Sequence, residues 1–295
     1  MTKIAEKIKE GKVLVSDGAW GTFLQEKGMQ AGECPELWNI EHPDDVYDIA
    51  KSYIDAGSNM VETNSFGGNK YKLAMFGLED KVHELNKAAA ELSRKAAGQD
   101  NHVLGSVGPT GKMLMMGDVT EEELYEAFKE QCMALEEGGA DAIVIETMSD
   151  LDEAKIAVKA ARENTKCEVI CTMTFEKSGD NAYHSMMGVA PAQMVSEIIN
   201  AGADIIGANC GNGIEGMIDI TKEIRSMDAS IPILIHANAG LPVFKDGVTV
   251  FPETPNQMAG FVKQLVLAGA NVIGGCCGTT PQHITEIAEV VKTIK

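Results

Sequence analysis

The stretch AGADIIGANC, residues 201–210, decides how the chain folds. A small turn containing glycine precedes an aspartate, and an apolar run then ends at Asn209-Cys210. Glycine at such a place supplies the left-handed residue that ends a helix. The pattern therefore predicts a helix, a tight turn and a buried strand, in that order.

The same arrangement occurs three more times, and further apolar runs lie between the copies. The other copies are Ala56-Gly57-Ser58-Asn59, Gly138-Gly139-Ala140-Asp141 and Ala268-Gly269-Ala270-Asn271. Together these patterns predict strands near 13–16, 59–63, 103–107, 141–146, 168–174, 204–208, 232–235 and 271–274. Helical patterns interleave near 43–56, 80–97, 120–138, 150–163, 191–201, 214–227, 255–268 and 281–293.

Strict alternation of strands and helices indicates an α/β protein with a parallel sheet. Eight such units indicate a closed barrel, and we predict a single (β/α)8 TIM barrel over residues 1–295. A barrel of this kind takes about 250 residues. No linker, low-complexity tract or shift in composition marks a second domain.

Charge and composition exclude several classes of partner. Acidic residues outnumber basic ones, 44 to 25, for a formal net charge of −19. A field of this sign repels phosphate backbones and anionic lipid, so we expect neither nucleic acid nor a membrane as partner. No apolar run reaches the ~20 residues of a membrane span. The charged N-terminal stretch lacks the apolar core of a signal peptide, so we expect a cytoplasmic protein. The sequence predicts no particular oligomeric state.

Seven cysteines in such a chain do not suggest a disulfide framework. Cys132, Cys167 and Cys171 lie in helix or strand patterns and are expected in the core. Cys34 lies in the first long loop and is expected to have no special role. The remaining cysteines stand where predicted strands end.

Cys210 ends the sixth predicted strand, and Cys276 and Cys277 end the eighth. Active groups of a (β/α)8 barrel lie where strands end, and these two strands have one strand between them, so the three thiols can converge. Three thiolates suit tetrahedral Zn²⁺ with a fourth position open for a substrate. A free thiol has a pKa near ~8.5, whereas a metal-bound thiol is deprotonated. The cysteines therefore predict a zinc site that activates an incoming thiol to attack an electrophilic carbon.

Two other interpretations of the cysteines stay open. The adjacent pair can be two small buried hydrophobic residues, or the barrel can store metal or sense redox conditions. Storage or sensing gives no purpose to the carboxylates of Asp17 and Glu146, which end the first and fourth predicted strands.

Segments at the strand ends resemble one known family across nearly the whole chain. They are Asp17-Gly18-Ala19-Trp20-Gly21-Thr22, Glu62-Thr63-Asn64-Ser65-Phe66, Gly108-Pro109-Thr110-Gly111, Ile145-Glu146-Thr147, Gly207-Ala208-Asn209-Cys210, Asn238-Ala239-Gly240-Leu241-Pro242 and Gly274-Gly275-Cys276-Cys277-Gly278-Thr279-Thr280-Pro281. The sequence resembles the homocysteine S-methyltransferase family. That family includes the homocysteine-binding module of cobalamin-dependent methionine synthase and betaine–homocysteine methyltransferase.

The resemblance implies zinc on Cys210, Cys276 and Cys277, with the sulfur of homocysteine as the fourth ligand. It also makes Asn238 the candidate for that fourth position in the resting enzyme. The product would be methionine. His236 is expected to pack in the site rather than to bind metal, because three thiols already suffice.

The resemblance further implies that Asp17 and Glu146 bind the ammonium of homocysteine. The chemistry of a zwitterion agrees, since its ammonium needs carboxylates and its carboxylate needs N–H donors. The turn Gly18-Ala19, continued by Gly21, offers such backbone N–H groups. Glu62 is expected either to contact the substrate or to support the site.

The methyl donor is not determined by the sequence. The chain contains no second barrel for folate and no corrinoid module, so methylcobalamin would have to arrive on a separate corrinoid protein. S-methylmethionine or betaine could instead serve as a small donor. Betaine would need an aromatic cage, and aromatic residues are only 5% of the chain. The loop 176–188 differs from the methionine synthase module, which leaves open another thiol acceptor or methyl transfer from another substrate to a corrinoid protein.

Overall fold

The computed structural model describes residues 2–179, 181–245 and 248–294. Eight parallel strands form its central sheet: β1 (Leu14–Val15), β2 (Met60–Glu62), β3 (His102–Val107), β4 (Ala142–Met148), β5 (Glu168–Met173), β6 (Ile205–Gly213), β7 (Ile233–Asn238) and β8 (Val272–Gly275). Their spatial order is β1-β8-β7-β6-β5-β4-β3-β2. The N–H of Asn59, just before β2, donates to Val15 O of β1 at 2.7 Å, so the two edges meet and the barrel is nearly closed.

Helices surround the sheet. They are α1 (Ile4–Lys9), α2 (Gly21–Glu26), α3 (Pro43–Asp55), α4 (Val82–Ala97), α5 (Glu121–Glu137), α6 (Leu151–Asn164), α7 (Pro191–Ala201), α8 (Ile214–Met227), α9 (Pro255–Ala259), α10 (Val262–Ala268) and α11 (Pro281–Lys292). Short helical turns occur at Pro35–Leu37, Trp38–Glu41, Lys70–Leu73, Ala74–Phe76, Glu79–Lys81 and Leu114–Met116. Two hairpins lie outside the barrel, pairing Glu176–Lys177 with Tyr183–His184 and Val243–Lys245 with Val248–Val250.

The predicted (β/α)8 barrel is confirmed, with every predicted strand in place. The four glycines that were predicted to end helices have positive φ: 102° at Gly57, 106° at Gly139, 115° at Gly202 and 118° at Gly269. The predicted helix over 255–268 is divided into α9 and α10 around Gly260-Phe261. Helices α1 and α2 and the two hairpins were not predicted.

The barrel interior is filled by apolar side chains and closed at its amino end by α1. Its core contains Ile4, Ile8, Leu14, Met60, Leu104, Ala142, Val144, Ile170, Ile205, Leu234 and Val272. The carboxylate of Glu168, at the start of β5, accepts the N–H groups of Ile4 at 2.6 Å and Ala5 at 3.0 Å. This contact holds α1 across the amino end and leaves the carboxyl end open.

The turns before β4, β6 and β8 share one arrangement. An arginine binds a glycine carbonyl and the acidic or amide side chain of the turn: Arg94 with Gly139 and Asp141, Arg162 with Gly202 and Asp204, and Arg225 with Gly269 and Asn271. The turn side chain also accepts an N–H of the neighbouring strand, from Val103, Val169 and Ile233 respectively. Each helix end is thereby fixed to two adjacent strands.

At the carboxyl end, the pairing of strands becomes irregular. The register between β4 and β5 shifts between Ile145 and Met148, and that between β6 and β7 shifts between Asn209 and Gly213. Such irregularities redirect side chains away from the regular alternation of a strand. They lie where the predicted site residues leave the sheet.

No helix in the described part of the chain is long and apolar enough to cross a bilayer.

Candidate active site

Three thiols converge at the carboxyl end of the barrel, as the strand order predicted. The Sγ atoms of Cys210, Cys276 and Cys277 lie within 4.8 Å of one another. Cys210 has φ of 58°, a left-handed conformation that is rare for a residue with a side chain. Backbone strain of this kind concentrates at functional sites. The N–H of Cys276 donates to Ala237 O at 2.7 Å, which fixes the pair against β7.

The three thiols form one electrostatic unit. The thiols of Cys276 and Cys277 donate hydrogen bonds to Cys210 and lower its pKa to about 2. The same bonds raise the pKa of Cys276 well above its ordinary value and that of Cys277 to about 11. The hydrogen bonds within the cluster favour the thiolate of Cys210, and a divalent cation would stabilise three thiolates together.

The donor set fits zinc. Three thiolates with one further position are a known ligand arrangement for this ion. Asn238 hydrogen-bonds to Cys210 through its side chain, while its buried Oδ1 receives no hydrogen bond from any residue that the structure describes. An unpaired oxygen beside the thiols suits a weak, replaceable fourth ligand. The remaining cysteines behave as predicted for core residues, since Cys132, Cys167 and Cys171 are buried.

A cavity of about 400 Å³ opens beside the thiols. Its lining comprises Gly18, Ala19, Trp20, Gly21, Thr22, Leu24, Pro35, Glu36, Glu62, Thr63, Asn64, Ser65, Phe66, Ser106, Glu146, Thr147, Cys210, His236, Gly275, Cys276 and Cys277. Three of these residues carry carboxylates, and no lysine or arginine of the described residues lines the cavity. Such a wall favours a ligand with a positive group.

Glu146 lies in this wall near the end of β4. Its carboxylate accepts hydrogen bonds from the Ser106 hydroxyl and from Asn209 Nδ2, the latter at 3.3 Å. The Oδ1 atom of Asn209 in turn accepts the N–H of Thr147, a residue with φ of 58°. Burial raises the pKa of Glu146 well above its ordinary value, and the nearby carboxylate of Glu62 raises it further. A bound ammonium would reverse this effect.

Glu62 and His236 form a buried pair in the cavity wall. Glu62 Oε1 lies 3.3 Å from His236 Nδ1, at an angle that makes no hydrogen bond. Burial raises the pKa of Glu62 well above its ordinary value, with the charge of Asp17 contributing. Burial also lowers the pKa of His236, which keeps the imidazole neutral. Glu62 Oε1 and His236 Nε2 have no hydrogen-bond partner among the described residues, so both have capacity for a ligand.

The predicted site residues in the loop after β1 do not all line the cavity. Gly18 and Ala19 line the cavity, whereas Asp17 lies behind the wall and is 1% exposed. Burial raises the pKa of Asp17. The N–H of Ala19 already donates to Thr279 Oγ1 at 3.0 Å. Ala19 is therefore a poor candidate for donating to a substrate carboxylate, and Gly18 and Gly21 remain the candidate donors.

Some residues of the site had no predicted role. Glu36 reaches the cavity from the irregular stretch before α3, and its Oε1 accepts the N–H of Gly67 at 2.6 Å. Asn209 supports Glu146, although only its neighbour Cys210 was singled out. The aromatic residues of the cavity are Trp20 and Phe66, and the third strand-end aromatic, Phe175, is buried away from it.

The sequence matches the family described as homocysteine S-methyltransferase over residues 14–291. The chain belongs to the homocysteine S-methyltransferase family. Methionine synthase of Mycobacterium tuberculosis is 33% identical over 305 residues, which cover 96% of this chain and 25% of that protein. Methionine synthase of Mycobacterium leprae is 33% identical over 301 residues, which cover 95% of this chain and 24% of that protein. The chain thus spans about a quarter of these relatives.

One crystal structure of similar fold is that of the homocysteine methyltransferase MmuM from Escherichia coli. Its metallated form superposes with a TM-score of 0.78 at 23% identity, covering 96% of this chain and 98% of that one. At this identity the match supports the shared barrel fold, in agreement with the predicted architecture.

Proposed function

We propose that this family member is a zinc-dependent enzyme that methylates homocysteine to methionine, with the methyl group supplied by a corrinoid on a separate protein. The observation that carries the proposal is the cluster of three thiols, within 4.8 Å of one another, at the edge of a cavity lined by carboxylates. The cluster suits a thiol-binding metal, and the carboxylates suit the ammonium of an amino acid.

Cys210, Cys276 and Cys277 would hold the zinc, with Asn238 Oδ1 beside it. Zinc bound there would lower the pKa of an incoming thiol so that its sulfur is nucleophilic at neutral pH. The chain's own residues would orient the acceptor. Glu146 and Glu62 face the cavity and would attract the ammonium, which offsets the repulsion between their buried carboxylates.

The size of the cavity supports a donor that stays outside it. A corrinoid macrocycle is larger than the whole space of about 400 Å³. It would have to approach from the carboxyl end of the barrel. The loops after β2, β3 and β5, at that end, carry six exposed methionines: Met75, Met113, Met115, Met116, Met186 and Met187. We call this surface the methionine rim. Methionine side chains adapt to different apolar partners, which suits a carrier that docks and leaves in each cycle.

Small donors are supported less well. A quaternary ammonium or sulfonium group is usually held by several aromatic rings. The cavity offers Trp20 and Phe66, and Phe66 is packed against Gly108. The carboxylates of the wall could attract a cationic donor, so S-methylmethionine and betaine belong in the experimental test.

The acceptor half is tested by proton release. Zinc-loaded protein at neutral pH should release about one proton when homocysteine binds, because the thiol loses its proton. The same titration on zinc-free protein is the control, since Glu62 and Glu146 can also release protons to an ammonium. No metal-dependent proton release would refute the assignment of homocysteine as acceptor.

The donor half is tested by a screen with homocysteine as acceptor. The donors are methylcobalamin, a methylated corrinoid protein, S-methylmethionine and betaine. We expect methionine from both corrinoid donors and faster transfer from the protein-bound one. Methionine from a small donor alone would refute the corrinoid assignment. Methyl transfer that proceeds only from another methylated substrate to the corrinoid protein would reverse the assigned direction.

A further inference from the structure

The three thiols lie on two separate segments of the chain, at positions where the regular pairing of the strands has ended. Cys210 lies in the irregular end of β6, and Cys276 and Cys277 follow β8. Three thiolates within 4.8 Å of one another repel each other, so their spacing needs support from the surrounding chain. Glu253, two residues before α9 in the long loop after β7, contacts the segments that follow all three strands from β6 to β8.

The carboxylate of Glu253 is fixed on the β6 side. It accepts the N–H of Ile214, the first residue of α8. A Cβ at Gly213 would lie 2.6 Å from Glu253 Oε1, and a Cβ at Gly240 would lie 2.9 Å from Glu253 Cγ. The side chain therefore occupies a space that is open because both neighbours are glycines. Gly213 pairs with Asn238, so this space adjoins the thiol cluster.

The backbone of Glu253 is fixed on the β7 and β8 sides. Its N–H donates to Ala239 O at 2.9 Å, and the N–H of Ala239 donates to Cys277 O at 3.0 Å. Its carbonyl oxygen accepts the Nε2–H of His283, a residue of α11, at 3.0 Å. Because Nε2 carries the hydrogen, Nδ1 of His283 is free to accept the N–H of Thr280 at 3.1 Å. One residue thus connects the ends of three strands.

This set of contacts places Glu253 next to the thiol cluster but outside the cavity, whose lining does not include it. We propose that Glu253 is a positioning residue for the thiol cluster. Through its hydrogen bonds it holds Cys210 and the pair Cys276-Cys277 at the spacing that a metal ion requires, without contacting the ion. The inference rests on the proposed function in one respect, which is that the thiols hold zinc.

The first test is zinc affinity, measured by competition with a chromophoric chelator. Glu253→Ala should weaken zinc binding about 10-fold, the lower end of the effect of outer contacts at metal sites. Glu253→Gln retains an acceptor for the N–H of Ile214 and loses only the charge at the start of α8, so its affinity should stay within about threefold of wild type. Wild-type affinity in Glu253→Ala, or equal losses in both variants, would overturn the proposal.

Cobalt(II) in place of zinc distinguishes positioning from a loss of stability. The absorption bands of this ion report the number and the arrangement of its thiolate ligands. We expect altered bands in Glu253→Ala and wild-type bands in Glu253→Gln. A lower melting temperature of Glu253→Ala with wild-type cobalt bands and wild-type zinc affinity would mean that Glu253 only stabilises the fold, and the positioning role would be refuted.

A second variant displaces the carboxylate without removing it. Gly213 has φ of −72°, which alanine adopts readily, but the added Cβ would lie 2.6 Å from Glu253 Oε1. Gly213→Ala should therefore weaken zinc binding, and it should add little to Glu253→Ala, in which the carboxylate is already gone. Fully additive losses would contradict the proposal. If Glu253→Ala does not fold, wild-type zinc affinity in Gly213→Ala would refute it.

Glu215 provides the matched control. It is an exposed acidic residue in the first turn of α8, directly after Ile214. Glu215→Ala should keep the zinc affinity and the cobalt bands of the wild type. A wild-type protein that binds no zinc at the three thiols would refute the proposed function. A wild-type protein that binds zinc, but no more tightly than Glu253→Ala, would refute the positioning role alone.

Discussion

Asn209 Nδ2 donates to Glu146 Oε2 at 3.3 Å, and the residue that follows Asn209 is Cys210 of the thiol cluster. One side chain thus connects the carboxylate wall to the thiol cluster. Replacement by alanine would remove the bond to Glu146 and the bond from the N–H of Thr147. We expect Asn209→Ala to raise KM for homocysteine about 10-fold, the effect of losing one hydrogen bond to a charged group.

The measurement for this variant is steady-state kinetics beside zinc content. Asn101→Ala is the control, because the side chain of Asn101 donates to Ala97 O at the end of α4 and does not line the cavity. An unchanged KM in Asn209→Ala would mean that Glu146 keeps its position without this support.

The ligand set predicts the behaviour of cysteine variants. Cys276→Ala should lose its zinc and its activity while the barrel still folds, because a half-buried thiol contributes little to the core. Zinc content by elemental analysis and thermal unfolding measure the two effects. Cys171→Ala, a buried cysteine of β5, should keep about one zinc and lose about 1 kcal/mol of stability. Full zinc in Cys276→Ala would show that the ligand set is wrong.

We expect the substitution Glu146→Gln to raise the stability of the protein and to lower its activity. Its pKa is raised in the folded protein from the ordinary 4.5, so the folded state binds this proton more tightly than the unfolded state. The free energy of unfolding therefore falls as pH rises from about 4.5 through the raised pKa. Glu146→Gln removes this pH-dependent loss of stability, because glutamine does not ionise. We expect the metal-free variant to be more stable than wild type by roughly 1–2 kcal/mol at pH 8 and equally stable at pH 4.

The same variant should bind homocysteine more weakly, because a carboxylate of the proposed ammonium site is gone. Urea unfolding at the two pH values and KM for homocysteine measure the two effects. Glu130→Gln, an exposed glutamate of α5, is the control and should change neither. Equal stability changes at both pH values would contradict the raised pKa.

If the methionine rim docks the donor protein, substitutions in it should slow methyl transfer from a corrinoid protein but not from free methylcobalamin. Met115 and Met116 are strongly exposed in the loop after β3. The double substitution to glutamine should lower kcat/KM for a methylated corrinoid protein about 10-fold by weakening apolar contact. Transfer from free methylcobalamin should be unchanged. Met133→Gln, on the outer face of α5, is the control. An equal loss with both donors would place the effect in the chemistry rather than in docking.

We expect the substitution Glu168→Ala to lower the stability of the protein without changing catalysis. Its carboxylate accepts two N–H groups of α1 at the closed end of the barrel. Glu168→Ala should lower the free energy of unfolding by about 1–3 kcal/mol, since these buried donors would lose their acceptor. KM and zinc content should stay as in wild type. Glu6→Ala, exposed on α1, is the control for thermal unfolding.

The sequence was sufficient for the barrel because its decisive signals are local. Gly57, Gly139, Gly202 and Gly269 each end a helix next to an apolar strand, and counting these units fixes the strand order. Strand order then places Cys210 at the same end of the barrel as Cys276 and Cys277, one strand away. At these positions the strand ends that the sequence pattern predicts are also neighbours in the folded barrel.

The arrangement within the cavity could not be predicted in the same way. The left-handed backbone at Thr147 and Cys210 and the shifted strand registers beside them redirect side chains individually. The contact of Asp17 with Trp20 depends on the path of the first loop. Glu36 comes from an irregular stretch that has no periodic pattern. Such contacts are set by tertiary packing, which residue spacing does not encode.

The repeated arginine contacts at the closed end have a consequence for how this barrel can vary. Arg94, Arg162 and Arg225 secure the strands β4, β6 and β8 from the side remote from the cavity. Each of these three joints connects two adjacent strands at the end of the barrel opposite the cavity. Loops at the cavity end can therefore be exchanged without removing any of these contacts.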